Sequence, residues 1–293
     1  MAHSFFLFRF DGAEDNAEFV VSLIDSFGIE CDLEREHTRL DPYKYAVGLK
    51  RAAESLGAKI HEETRVVSIR PGAEASGEGF TLRAGKLVLA TNGYTPQLGV
   101  AAERIFPAHT GAAVTPPLPA DLLASLPESI HVMTSGEMYM WGRKAPEGRV
   151  LVGAGAKYFY DNGLHHDGER FLFAAMRRVF EREFPALRPF PFEHAWSGPM
   201  GCTADQEPII GSVGEGGSIL YCGGYTGHGL AMGTKCGAFL AGMLEGAPPP
   251  DWLSRPTIPL PREPLRYIAL NSAIHLMNIG LYRMPKHEEE GGG

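Results

Sequence analysis

The stretch "LYCGGYTGHGLAMGTKCGAFLAGMLEG", Leu220 to Gly246, sets Gly223, Gly224, Gly227, Gly229 and Gly233 between a strand-like apolar run and a helix-like one. Glycine weakens any regular element, so a cluster this dense means that something comes close to the backbone there. Two readings meet that demand. One is a ligand cradle: the N–H groups that open a helix have no intrahelical partners, and the helix dipole favours negative charge at that end. The other is a tight turn with close packing of helix on sheet. The spacing Gly227-x-Gly229-x-x-x-Gly233 misses the dinucleotide pattern G-x-G-x-x-G, because Met232 stands where the third glycine belongs.

The rest of the chain reads as alternating strands and helices. Residues 17–27 carry a helical pattern that ends at Gly28. In "LDPYKYAVGLKRAAESLGAKI", Asp41 suits an N-cap, Pro42 the first turn and Gly57 the C-terminal cap. Tyr45, Leu49, Ala52, Ala53 and Leu56 recur there with helical period. Strands are expected at 65–69, 80–84 and 86–91, the last a continuous apolar run of the kind buried on both faces. Beyond Arg104 come the short strands "HVMTSG", "EMYMWGR" and "RVLVGAGA", then an amphipathic helix over 167–184. "PIIGSV" and "SILYCGG" are strands, and a helix follows at about 230–245. A proline-rich connector leads to a last helix, "LRYIALNSAIHLMNIGLYR". The pattern predicts an α/β unit built from both ends of the chain, residues 1–97 and 197–293, with an antiparallel-sheet domain inserted at 98–196.

Composition narrows the function classes. The chain has 293 residues and net charge −8, with no basic cluster, which argues against nucleic acid or an anionic membrane as partner. Its four cysteines, Cys31, Cys202, Cys222 and Cys236, show no C-x-x-C spacing, so reduced thiols in a cytoplasmic protein are expected rather than a zinc site. The N-terminus lacks a basic n-region and a cleavage site, so no signal peptide is expected. No run of 18 apolar residues offers a spanning helix. His165, His166 and Asp167 sit together, but adjacent histidines diverge and Asp167 suits a helix cap, so no metal is expected. Without G-x-S-x-G there is no hydrolase nucleophile elbow.

Taken in order, "KLVLATNGYT", "WSGPMGCTADQEPIIGSV" and "YCGGYTGHGLAMGTKCGAFLAGML" resemble the D-amino-acid-oxidase-like family of FAD-dependent oxidoreductases, nearest its glycine/sarcosine oxidase and gamma-glutamylputrescine oxidoreductase branch. "DPYKYAVGLKRAAESLGAKIHEETRVVSI" is similar to that family's helix–strand segment, so the resemblance covers roughly 37–283. It implies an incomplete Rossmann-like FAD-binding domain, non-covalent FAD, and oxidation of an amine or amino-acid-derived C–N bond. A hydride equivalent would pass to the flavin, and the imine would then hydrolyse. Val67 would lie beside the adenine, and Ala90, Thr91 and Asn92 beside the dinucleotide. Gly223, Gly224, Tyr225, Thr226, Gly227, His228, Gly229 and Leu230 would run along the ribityl chain and ring.

Tyr139, Trp141 and Trp196 could wall an amine pocket, or be sheet core. Arg143 is expected on the solvated surface, its alternative a carboxylate partner. His228 is expected to shape the turn rather than to act catalytically, and no catalytic residue is named. No arginine stands in "GPMGCTADQ", where some relatives place a substrate arginine, so a simple free amino acid is disfavoured. No flavin link is expected at Cys202. Residues 1–30 hold only Gly12 and Gly28, so the family's opening G-x-G-x-x-G unit has no counterpart there. Its absence would leave edges of "KLVLAT" and "SILYC" unpaired. A partner chain supplying that half, or a non-catalytic remnant serving as a binding module, are the alternatives.

Overall fold

The computed structural model describes residues 41–127, 129–133, 139–163 and 169–283. The helix expected at 17–27 and the His165–Asp167 cluster lie outside the described residues. The chain divides into two compact units. One comprises the described residues through Phe106 together with Met200–Leu260; the other comprises Pro107–Pro199 and the residues from Pro261.

In the first unit, helix α1 spans Pro42–Ser55. The Asp41 carboxylate accepts the N–H groups of Tyr43 and Lys44 at 2.9 and 3.1 Å, as its sequence position predicts. The far end closes through Gly57, φ 91°. There Gly57 N donates to Glu54 O and Ala58 N to Ala53 O, the paired bonds that terminate a helix at a left-handed residue. Of the apolar positions expected to face a core, Tyr45 is buried, whereas Leu56, at the frayed end, is 75% exposed.

Strands β1 (Val66–Arg70), β2 (Glu74–Gly77) and β3 (Phe80–Arg83) form an antiparallel meander. β4 (Leu87–Leu89) pairs in parallel with a later strand, Ile219–Gly223, which pairs antiparallel with Ile209–Val213. In chain order these two later strands are β11 and β10. β11 is the middle strand and is buried throughout. Its alternation divides two cores. Ile219 and Tyr221 join Leu89, Ile105 and Ile209 on one face. Leu220 and Cys222 join Ile210, Cys236 and Leu240 on the other.

Two expectations need correction here. β4 is not buried on both faces: Val88 is 38% exposed, because β4 is an outer strand of this sheet among the described residues. "SILYC" is not an edge, since β10 and β4 flank it on either side.

In the second unit β5 (Phe106–Val114), β6 (Ser129–Met133), β7 (Tyr139–Ala145), β8 (Arg149–Tyr158) and β9 (His194–Cys202) form one sheet, ordered β6-β7-β8-β5-β9. Alternate residues Met140, Val150, Val152 and Ala154 pack under a helix at Glu169–Glu183, through Met176, Val179 and Phe180. That helix is α3, a short helix α2 having formed at Ala120–Ala124. In the first unit, helix α4 spans Gly229–Leu244 and a single turn, α5, spans Asp251–Ser254. The last helix, α6, spans Leu265–Arg283. Among the described residues no helix is long and apolar enough to cross a membrane.

Candidate functional site

Three chain segments of the first unit end at one place. β4 stops at Leu89 and the chain bends through Ala90, Thr91 and Asn92 into a 3-10 helix, Asn92–Leu98. β11 stops at Gly223, and Gly201 lies near the end of β9. Asn92 joins them. Its backbone is left-handed, φ 43°, and its Oδ1 accepts the Gly224 N–H at 3.0 Å. A Cβ on Gly201 would collide with that same oxygen, and one on Gly223 would press on Asn92 at 3.3 Å. The Asn92 side chain occupies the space that a Cβ on Gly201 would need, while Gly223 is crowded by Ile105 Cδ1 and the Asn92 Cα.

The turn that follows is pinned at its base and open at its tip. Thr226 N donates to Gly201 O at 2.9 Å, and Thr226 Oγ1 donates to Gly224 O at 3.1 Å. Gly227, φ 96°, is exposed at the tip, with Met200 Sδ 3.8 Å from a Cβ placed there. His228 N donates to Tyr225 O at 2.9 Å, and α4 begins at the next residue. The N-cap residue His228 makes no side-chain capping bond, and the first N–H groups of this 16-residue helix have no intrahelical partner. Burial holds His228 below the ordinary imidazole range, with the charge of Glu207 opposing it, so its ring is neutral at pH 7.

Tyr225 turns the other way. It is buried, its hydroxyl stands 2.9 Å from Cys222 Sγ, and its ring underlies Gly229 and Gly233 at 3.6–3.8 Å from where their Cβ atoms would be. Leu230 is half-buried and its carbonyl accepts Thr234 Oγ1 at 2.8 Å. Thr234 Oγ1 also meets Tyr45 Oη at 3.1 Å, so α1 fixes the helix that carries the turn. Ala90 and Thr91 are exposed, and Thr91 Oγ1 lies 2.8 Å from Thr95 Oγ1. Val67 sits apart from the turn on β1, 58% exposed, on a strand packed against the 92–98 helix.

The aromatic residues belong to the five-stranded sheet. Tyr139 stands opposite Met133 at one end of β7. Trp141 is half-buried and lies over Gly153 of the next strand, where a Cβ would collide with its indole ring. Trp196 is half-buried on β9. Arg143 departs from expectation: at 6% exposure it is a buried cation, not a surface one. It follows Trp141 by two residues on the strand, on the face away from Met140 and α3. Strand alternation carries this placement, and average exposure of arginine hides it.

The family model for FAD dependent oxidoreductases (DAO) matches residues 28–243. The chain belongs to this family. A probable oxidoreductase, OrdL, of Rhizobium meliloti (strain 1021) is 30% identical over 211 residues, covering 71% of this chain and 47% of that protein. Gamma-glutamylputrescine oxidoreductase of Escherichia coli (strain K12) is 26% identical over 223 residues, covering 73% and 50%. The chain therefore spans about half the length of the curated relatives it matches. The solved glycine oxidase of Bacillus cereus ATCC 14579 has the same fold, with TM-score 0.57 at 17% identity over 84% of this chain and 74% of that one.

The turn suits the flavin that this FAD-dependent family uses. Its tip carries no side chain at Gly227 or Gly229, and the first N–H groups of the helix behind it have no intrahelical partner. Cys202 is buried, with its thiol directed at Met200 O, 3.6 Å away.

Proposed function

We propose that this oxidoreductase binds FAD non-covalently through Asn92, the turn Gly223–Gly229 and the start of α4, and oxidises a C–N bond of a small amine or amino-acid derivative. The observation that carries the reading is the N-terminus of α4, where His228 makes no side-chain capping bond, behind a glycine tip in a member of an FAD-dependent family. When bound, FAD supplies the two-electron acceptor. The chain's residues supply orientation and polarity. Donors at the helix end favour negative charge beside them, the charge that a reduced flavin ring gathers. His228, neutral at pH 7, adds no positive charge of its own, so in this reading the helix end carries that stabilisation. Ala90, Thr91 and Val67 belong to the dinucleotide side of the same proposal, and Tyr139, Trp141 and Trp196 to the amine side. The dinucleotide cradle, supplied by a partner chain or a further segment, completes the grip in this reading.

Absorbance of the purified protein after incubation with excess FAD and gel filtration tests the binding. Retained flavin bands support it, and gamma-glutamylputrescine is then the first amine to assay, because a 26% identical relative is named for it. A protein that stays colourless alone, and also with any supplied cradle, refutes the reading and leaves the binding-module alternative.

A further inference from the structure

A surface helix is ordinarily apolar on the face it packs and polar on the other. Helix α6 is apolar on both. Its inner face is fastened to the second unit. Leu270 and Arg266 are buried, and Arg266 Nε donates to Pro261 O at 2.8 Å. Asn271 Nδ2 donates to Tyr158 O at 3.0 Å, and Asn271 Oδ1 accepts the Tyr158 N–H at 3.2 Å. Glu263 accepts the Tyr267 N–H at 2.9 Å and the Tyr158 hydroxyl at 2.6 Å. These bonds fix the rotation of the helix about its axis, and so decide which residues it turns to solvent.

The residues turned outward are apolar or small. Leu265 is 64% exposed, Ile268 58% and Leu276 65%, with Ala269, Ser272 and Ala273 exposed between them. Their spacing makes one stripe along the helix. The stripe holds no Asp, Glu, Lys or Arg, and exposed His275 is its ionisable neighbour. Its sizes run bulky, small, bulky, which makes it complementary to itself. An antiparallel copy crossing between Leu270 and Asn271 brings Leu265 to the level of Leu276 of the other copy at both ends. Ala269, Ser272 and Ala273 then stand at the crossing, where small side chains let two helix axes come close. Each helix also sets its positive end beside the negative end of the other.

We propose that the outward stripe of α6 is the interface with a second copy of this chain, in an isologous antiparallel pair. A charged partner finds no counter-charge on the stripe. A net charge of −8 opposes chance association of two copies, so the pairing depends on the apolar contact. The area sets its strength. Leu265–Leu276 spans about 18 Å at 1.5 Å per residue and is one helix wide, so two copies bury under about 1,000 Å² in total. That is the size class of a weak, reversible pair, formed at micromolar concentration, and not of an obligate dimer. The pairing needs no flavin, so it stands or falls separately from the proposed function.

Sedimentation velocity of the full chain, across a concentration series spanning the micromolar range, is the test. The wild type should pass reversibly from monomer to dimer. Ile268→Glu and Leu276→Glu, both at exposed positions, should each weaken the association about tenfold or more, because two like charges are carried into an apolar contact. Leu56→Glu, at a leucine 75% exposed in the first unit, should leave it unchanged. The double variant Leu265→Lys/Leu276→Glu should recover association over Leu276→Glu alone, since antiparallel copies bring the two new charges level. A wild type that stays monomeric throughout overturns the proposal, and so does one that stays monomeric while floating with phosphatidylcholine vesicles, which makes lipid the occupant. A dimer that survives both glutamates, or that Leu56→Glu weakens equally, places the interface elsewhere and overturns it too. A double variant no better than Leu276→Glu overturns the antiparallel pairing. The wild-type series decides the matter even where a variant fails to fold.

Discussion

Asn92 combines a left-handed backbone, φ 43°, with a side-chain bond to Gly224 N, 132 residues away. Asn92→Ala loses the acceptor and keeps the strained φ, for a cost of about 2–3 kcal/mol. Asn92→Gly loses the same acceptor but relieves the strain, and should cost about 1 kcal/mol less. Urea titrations that rank Gly below Ala in stability would refute this account of Asn92. The glycines divide in the same way. A Cβ on Gly201 would meet Asn92 Cγ at 2.8 Å and Gly93 N at 2.9 Å, so Gly201→Ala should destabilise by about 1–3 kcal/mol. Gly237, exposed within α4, has nothing among the described residues within 4 Å of where a Cβ would stand, and Gly237→Ala should stabilise by about 0.5–1 kcal/mol. The sequence announced a glycine cluster but not which members were forced, because the atoms that exclude a Cβ come from residues remote in the chain. Tyr225 shows the same limit: it reads as one of the turn residues, yet it points into the core.

Elements whose signals are local were legible. α1 forms between its predicted cap and its terminal glycine because both signals act within a few residues. Asp41→Ala should cost about 1 kcal/mol, read as a lower thermal midpoint. Two strands held mainly by their partners were not legible. β2, "EASG", has no strong strand former, yet it is held by partners on both sides, with Ser76 Oγ 2.8 Å from Ser68 Oγ and Glu74 between Arg70 and Arg83. β5 is buried along nearly all its length, but Pro107 and its alanines mask a strand. The connector after α4 is fastened by charge: Arg255 donates to Asp205 Oδ2 at 2.7 and 3.1 Å and to Pro208 O at 2.8 Å. Burial opposes ionisation of Asp205, but Arg255, Thr203 and the Glu207 N–H outweigh it and hold the carboxyl below its usual range. A depressed carboxylate stabilises the fold above its unfolded-state value, and that contribution is lost as pH falls through the folded-state value. Asp205→Asn should therefore cost about 1 kcal/mol at pH 7, discounted for partial exposure, with the difference from wild type vanishing in acid. A pH-independent difference would remove the charge from the argument.

At the scale of the molecule, each compact unit has its own core. The first is built on both faces of β11, and the second lies between the five-stranded sheet and α3. Separate cores predict separate cooperative transitions. Phe180, fully buried beneath the sheet of the second unit, gives a specific handle. Phe180→Ala should cost about 3–5 kcal/mol and lower one calorimetric transition by many degrees. FAD should act on the other. A ligand stabilises the unit that binds it in proportion to RT ln(1 + [L]/Kd), so FAD at a hundredfold its Kd contributes about 2.7 kcal/mol there. The glycine turn, Asn92 and the α4 terminus all belong to the first unit. In Phe180→Ala protein, then, FAD should raise the transition that the mutation left alone and leave the lowered one in place. If FAD instead restored the lowered transition, its binding energy would be held mainly by the second unit, and the assignment of the turn as the flavin grip would fail.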